Sequence, residues 1–218
     1  MVMMSDSSSR SLLYVTDPMC SWCWGFSPVM DRVCQRYQHR LGIEVLVGGL
    51  RPGNTERFDE QRRNYILGHW HAVHERTGQS FNFACQMASD FTYDTEPAAR
   101  AVVAVRHIEA SRVFPYLHDV QEAFYVKNLD VTKEAVLADL AQSQGMTREY
   151  FLESFRSAEL KRTVWSEFDQ VRQWGVNGFP TLLAQQNEET TILTHGYQSI
   201  DVLAPIIETW LNSTMTHG

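Results

Sequence analysis

Cys20-Ser21-Trp22-Cys23 sets two thiols three residues apart. Around the first turn of a helix that spacing lets the sulfurs meet, so the pair can pass between dithiol and disulfide. The thiolate, not the thiol, attacks a disulfide. A helix start favours it, because unpaired N–H groups and aligned peptide dipoles present positive charge there. The first cysteine sits nearest that charge, and the second lies one turn deeper. The order predicts Cys20 as the nucleophile and Cys23 as the thiol that resolves a mixed disulfide. The rival chemistry is half of a zinc site. Such a site calls for a second CxxC or an HxxxH pair. The chain carries neither, and no metal is expected.

These roles need a helix that begins at the pair. From Trp24 to about Arg40 the apolar residues Phe26, Met30, Val33, Cys34, Tyr37 and Leu41 form an amphipathic stripe. Gly42 follows where a C-cap is expected. Strand formers occupy 12–16 and 43–47 on either side, closed by Asp17-Pro18 and Gly48-Gly49. The opening therefore reads β–α–β, with the two strands parallel. Pro28 falls inside the stripe and predicts a kink. Helical periods then dominate 56–174, over 58–75, 96–109, 113–127, 133–144 and 148–174, with a break near Ser157. Thr132 is the expected N-cap and Gly145 the expected C-cap of the fourth. Strands return at 181–184 and 191–194 around a polar turn over 185–189, and 200–211 predicts a last helix despite Pro205. Residues 1–10 read as a loose polar tail.

Net charge is −7 from 19 basic and 26 acidic residues among 218. No clustered basic face is available for a phosphate backbone, so nucleic acid is an unexpected partner. Four cysteines are too few for a disulfide framework. No apolar run approaches the roughly 18 residues of a membrane span, and the start lacks the pattern of a secretory signal. A cytoplasmic location is the expectation, with no membrane partner.

Cys20-Ser21-Trp22-Cys23-Trp24-Gly25-Phe26, the loop Val176-Asn177-Gly178-Phe179-Pro180-Thr181 and the segment Asp94-Thr95-Glu96-Pro97-Ala98-Ala99-Arg100 together resemble the DsbA-like branch of the thioredoxin superfamily. Within it the chain is similar to predicted cytoplasmic protein-disulfide-isomerase-like proteins. The resemblance covers roughly residues 11–212. It implies an α/β thioredoxin fold with a large all-helical insertion: a thioredoxin-like domain from 11–55 and 175–213, interrupted by a helical domain over 56–174. It implies that Pro180 is cis opposite the cysteine pair and belongs to the catalytic set. The backbone of Phe179 would then bind an extended substrate peptide. Disulfide-containing proteins or peptides are the expected substrates, with a reducing thiol partner and glutathione as a candidate thiol co-substrate. The periplasmic oxidases of the branch carry a His between the cysteines. Ser21-Trp22 has no charge, which points toward a reductase or isomerase. Kappa-like glutathione transferases share the fold and are a second expectation, against which Cys23 counts. A binding module that retains the fold without catalysis is a third.

Other residues carry weaker signals. Trp22 and Trp24 flank Cys23 and could form an apolar collar for substrate, or Trp24 could face the core. Gly48-Gly49-Leu50-Arg51-Pro52-Gly53 could line a groove or simply turn. Asp17 could tune the pair by charge or merely end a strand. Cys34 falls on the helix stripe, about 16 Å from Cys23 by helical rise, too far to pair with it; core packing is expected. Cys85 is expected to be a buried thiol. His71 and His74 share a helical face near His69 and Glu75, and packing or solvation is expected rather than metal binding.

Overall fold

The computed structural model describes residues 10–88, 90–187 and 189–213. β1 (Arg10–Thr16), α1 (Ser21–Tyr37) and β2 (Gly42–Val47) open the chain. Helices follow: α2 (Glu60–Thr77), α3 (Glu96–Ile108), α4 (Val113–Tyr125), α5 (Glu134–Ser143), α6 (Arg148–Arg156) and α7 (Ala158–Gln173). A 3-10 turn over Ala110–Arg112 joins α3 to α4. β3 (Thr181–Gln186), β4 (Glu189–His195) and α8 (Ile200–Ser213) close it. The sheet order is β2-β1-β3-β4, with β1 parallel to β2 and antiparallel to β3. The strand order and the run of helices between β2 and β3 agree with the fold that the resemblance implies. The expected polar tail lies outside the described residues apart from Arg10, which belongs to β1, and Glu188 of the expected turn is also outside them.

Alternation along β1 and β3 divides the core. Leu12, Tyr14, Leu182 and Ala184 face the larger apolar cluster, which includes Phe26, Met30 and Val33 of α1 and Leu203 and Ile207 of α8. Leu13, Val15 and Leu183 face Val171 and Val176 on the other side. The period of two in a strand makes this division obligatory.

Three expected termini differ. α1 stops at Tyr37 rather than near Arg40, because Tyr37 is its last buried anchor: its hydroxyl donates to Ala204 O at 3.3 Å, while residues 38–40 face solvent. Gly42 therefore begins β2 instead of capping a helix. Thr132 caps nothing. Its hydroxyl donates to Asp130 Oδ1 at 2.6 Å, and Lys133 takes the N-cap position. Gly145, by contrast, adopts φ +87° just past α5, as expected of a glycine that ends a helix.

The outer edge of β2 is closed by side chains from the helical segment. Val47 N–H donates to Glu167 Oε1 at 2.6 Å, Arg106 donates to Val45 O, and Arg106 pairs with Glu167. Two backbone groups that would otherwise template another strand are thus occupied by one ion pair, both side chains of which are mostly buried. Removing one partner leaves the other charge buried, so Glu167→Ala should lower stability by about 3 kcal/mol. Denaturant titration checks this. A loss no larger than an exposed pair's, below about 1 kcal/mol, would show that the edge is held by other contacts.

Candidate active site

The link from β1 to α1 is pinned from three directions. Asp17 is fully buried and accepts Met19 N–H at 2.9 Å and Leu50 N–H at 2.7 Å, which ties the ends of β1 and β2 together. Tyr93, from the segment before α3, donates to Met19 O at 2.6 Å. Cys20 N–H closes the turn on Asp17 O at 3.0 Å. Cys20 therefore enters α1 as its N-cap, extended (φ −92°, ψ 115°), with no side-chain cap of its own. Its carbonyl already accepts the N–H groups of Cys23 and Trp24.

The two sulfurs differ in surroundings. Cys20 is 6% exposed and donates to Phe179 O at 3.6 Å. The Phe179–Pro180 peptide is cis, and the Phe179 ring packs so closely on Gly48 that a Cβ there would lie 1.9 Å from Phe179 Cε1. Only glycine allows that approach. Cys23 is wholly buried, and its thiol is pushed well above the ordinary range, chiefly by burial and then by Cys20; Thr16 and the Asp17 backbone pull the other way. Both cysteines are free thiols.

Trp24 does not reach the surface beside Trp22. It is 3% exposed, stacks on Tyr125 at 6.2 Å, meets His118 edge-on, and its indole N–H donates to Ser80 O at 2.8 Å. It lies on the apolar face of α1, so a substrate collar is not its place. Trp22 stays half-exposed, with its ring 6.3 Å from Tyr197. Pro28 sits inside α1 and lacks the N–H that would reach Trp24 O. That carbonyl instead accepts Ser27 Oγ and Gln79 Nε2, both at 2.9 Å. Ser27, together with Gln79 from the loop after α2, thus repairs the helix one turn beyond the cysteines.

A cleft of about 400 Å³ opens beside Tyr93, lined by Arg51, Asn54, Phe58, Gln61 and Arg62 among others. The Arg51 guanidinium lies 5.8 Å from the Tyr93 ring centre. The glycine-rich turn after β2 therefore supplies both a support for the site and a cleft wall. The thiols farther off differ from each other. Cys34 is half-buried at a groove edge, not in the core as its place on the stripe predicts: the buried line of α1 runs through Met30, Val33 and Tyr37, and Cys34 lies beside it with Asp31 and Gln35. Cys85 is buried. His71 stacks on Phe83 at 4.1 Å, His74 Nδ1 lies 2.8 Å from Gln79 O, and His69 packs on Tyr65. These are packing roles, and no metal-binding group is found among the described residues.

The profile of the DSBA-like thioredoxin domain matches residues 12–208. The chain belongs to the DSBA-like thioredoxin family. Among solved structures, a putative protein disulfide isomerase from Nitrosomonas europaea is 40% identical, covers 96% of this chain and 100% of its own, and superposes with TM-score 0.88. The cytosolic disulfide reductase DsbM from Pseudomonas aeruginosa is 25% identical over 93% of this chain and 98% of its own, with TM-score 0.77. Among curated proteins, the ClpXP adapter protein SpxH of Bacillus subtilis (strain 168) is 20% identical over 195 residues, 88% of this chain and 64% of SpxH. The chain thus spans slightly under two thirds of that relative's length.

In this DsbA-like chain the supporting residues Tyr93, Tyr125, Gln79 and Arg51 escape a reading of the motif, because each comes from a distant loop or helix. Only Asp17 adjoins the motif. Burial raises its carboxyl to about 6 from 3.8, against the pull of the Leu50 and Met19 N–H groups. A raised carboxyl pKa means that folding takes up a proton between those values. The stability linked to Asp17 is greatest below the ordinary value and is lost as pH rises through about 6, by about 3 kcal/mol in all. Unfolding free energies from about pH 4 to about 7 should show this fall in the wild type, and Asp17→Asn should flatten it. Equal slopes would place the titration elsewhere.

Thiol labelling gives a second check. Burial raises Cys23 and Cys85, and burial with the Asp31 charge pushes Cys34 up to about 11. Iodoacetamide at about pH 7.5 should therefore label Cys20 first in the native protein. Peptide mass spectrometry reads the order, and prior labelling of Cys34 would contradict it.

Proposed function

We propose that this protein is a thiol–disulfide oxidoreductase of reductase or isomerase leaning, with Cys20 as nucleophile and Cys23 as resolving thiol. The carrying observation is the asymmetry of the pair: Cys20 at a helix start against Phe179 O, Cys23 buried one turn below it. The Cys20 thiolate attacks one sulfur of a substrate disulfide and expels the other as a thiolate. Cys23 then attacks Cys20, forming the Cys20–Cys23 disulfide and releasing the second substrate thiol. Two electrons pass from the pair to the substrate. Phe179, beside cis Pro180, offers backbone to an extended peptide at the moment of attack. Trp22, half-exposed against Tyr197, gives that peptide an apolar contact.

A thiol partner returns the electrons. Glutathione is the candidate co-substrate: Arg51 on the wall of the cleft beside Tyr93 can meet one of its carboxylates, whereas Arg62 there is already paired with Glu56. The uncharged Ser21-Trp22 dipeptide and the likeness to a cytosolic reductase support a reducing role in the cytoplasm. Among the described residues no helix is long and apolar enough to cross a membrane. Insulin reduction should be accelerated by the wild type and not by Cys20→Ser, while Cys23→Ser should accumulate mixed disulfides. A reduction potential near the roughly −120 mV of an oxidising DsbA would reject the reductase direction.

The similarity to SpxH, a ClpXP adapter protein, favours a second reading, an adapter that works by binding and not by redox chemistry. The two separate on a variant with both Cys20 and Cys23 changed to Ser. Adapter function survives that change, and disulfide reduction does not.

A further inference from the structure

Tyr14 and Thr16 stand on β1 at i and i+2, so both point to the face that α1 covers. The Tyr14 ring is 5.9 Å from Phe26, one turn along α1 from Cys23, and stacks on Phe114 of α4 at 6.4 Å. The ring is buried between them. The hydroxyls of both residues are buried, and neither completes a hydrogen bond of good geometry, although the two lie close to one another and to the Cys23 thiol. Burying a hydroxyl without a partner is costly, and an orphaned one calls for an explanation.

We propose that the Tyr14 hydroxyl, seconded by Thr16, is a hydrogen-bond donor to the Cys23 thiolate during the resolving step. The proposal rests on the oxidoreductase reading and adds a residue to it. Once Cys20 is joined to substrate, the buried Cys23 thiol gives up its proton and its sulfur attacks Cys20 Sγ. The Cys20–substrate bond breaks, its electron pair leaves on the substrate sulfur, and that sulfur takes the proton. Negative charge must therefore rest briefly on a sulfur with no solvent contact. A fixed hydroxyl beside it lowers the cost in a low-dielectric site, where each such bond counts for more than in water.

The titratable groups that face Cys23 come from different elements. They are Tyr14 from β1, Cys20 from α1 and Tyr125 from α4, with Asp17 touching through its backbone. After burial, Cys23 is the strongest influence on Tyr14, whereas it is the last of those on Tyr125. Tyr93 spends its hydroxyl on Met19 O. Burial keeps Tyr14 protonated, so it remains a donor throughout.

Acid-quenched rapid mixing with a labelled peptide disulfide, read by mass spectrometry, follows the formation and decay of the Cys20 mixed disulfide. In Tyr14→Phe the intermediate should form but persist about tenfold longer, and the decay should need a pH about one unit higher, as loss of one hydrogen bond to a charged group predicts. Thr16→Val should shift both in the same direction by less, and Thr16→Ser, which keeps a hydroxyl, should restore them. A purely structural role for Tyr14 would lower thermal stability without moving the pH midpoint. If Tyr14→Phe decays as fast as the wild type with the same midpoint, this proposal is overturned alone. If the wild type forms no Cys20 mixed disulfide, the oxidoreductase reading falls and takes the proposal with it.

Discussion

Desolvation of the Cys23 sulfur governs the chemistry that α1 can perform. A buried thiol resists ionisation because its anion would exchange water for hydrocarbon, and Cys23 has no solvent contact. Cys20, three residues earlier, sits where the helix leaves its N–H groups unpaired. One backbone turn thus makes two chemically identical residues unequal. On the proposed reading, attack and resolution fall to different sulfurs without any charged residue between them.

That inequality survives only if the first turn of α1 is held still, and most of the holding comes from far along the chain. Tyr93 fastens Met19, and Leu50 fastens Asp17. Gln79 supplies the bond that Pro28 withholds from Trp24 O, and Ser80 accepts the Trp24 indole. Arg106 and Glu167 do the same for the exposed side of β2. The helices between β2 and β3 therefore do more than cover a face. They satisfy backbone groups that a bare four-stranded sheet with one helix would leave open.

Asp17 shows what such fastening can cost. Its carboxylate joins two strand ends through two backbone N–H groups, yet burial works against its charge at neutral pH. The orphaned hydroxyls of Tyr14 and Thr16 are a neighbouring expense. Unfavourable groups collected around one pair of sulfurs fit a region shaped for reaction more than for stability.

The residues by themselves determined the order of strands and helices, the helix start at Cys20, the burial face of α1 and the kinship carried by the cysteine and Phe179-Pro180 motifs. Each follows from short-range periodicity or from a handful of adjacent residues. Tertiary structure decided what no local pattern contains. Trp24 turned inward although it neighbours the motif, since indole, Ser80 O and Tyr125 meet only in the fold. Gly42 opened a strand because Tyr37 had already found its anchor on α8. Cys34 came to rest at a groove edge, and Arg51 met Tyr93 across more than forty residues of chain. Local composition sets the period of an element and its preferred face. The partners of that face are chosen by packing between distant segments, which a single sequence does not encode in any window short enough to read.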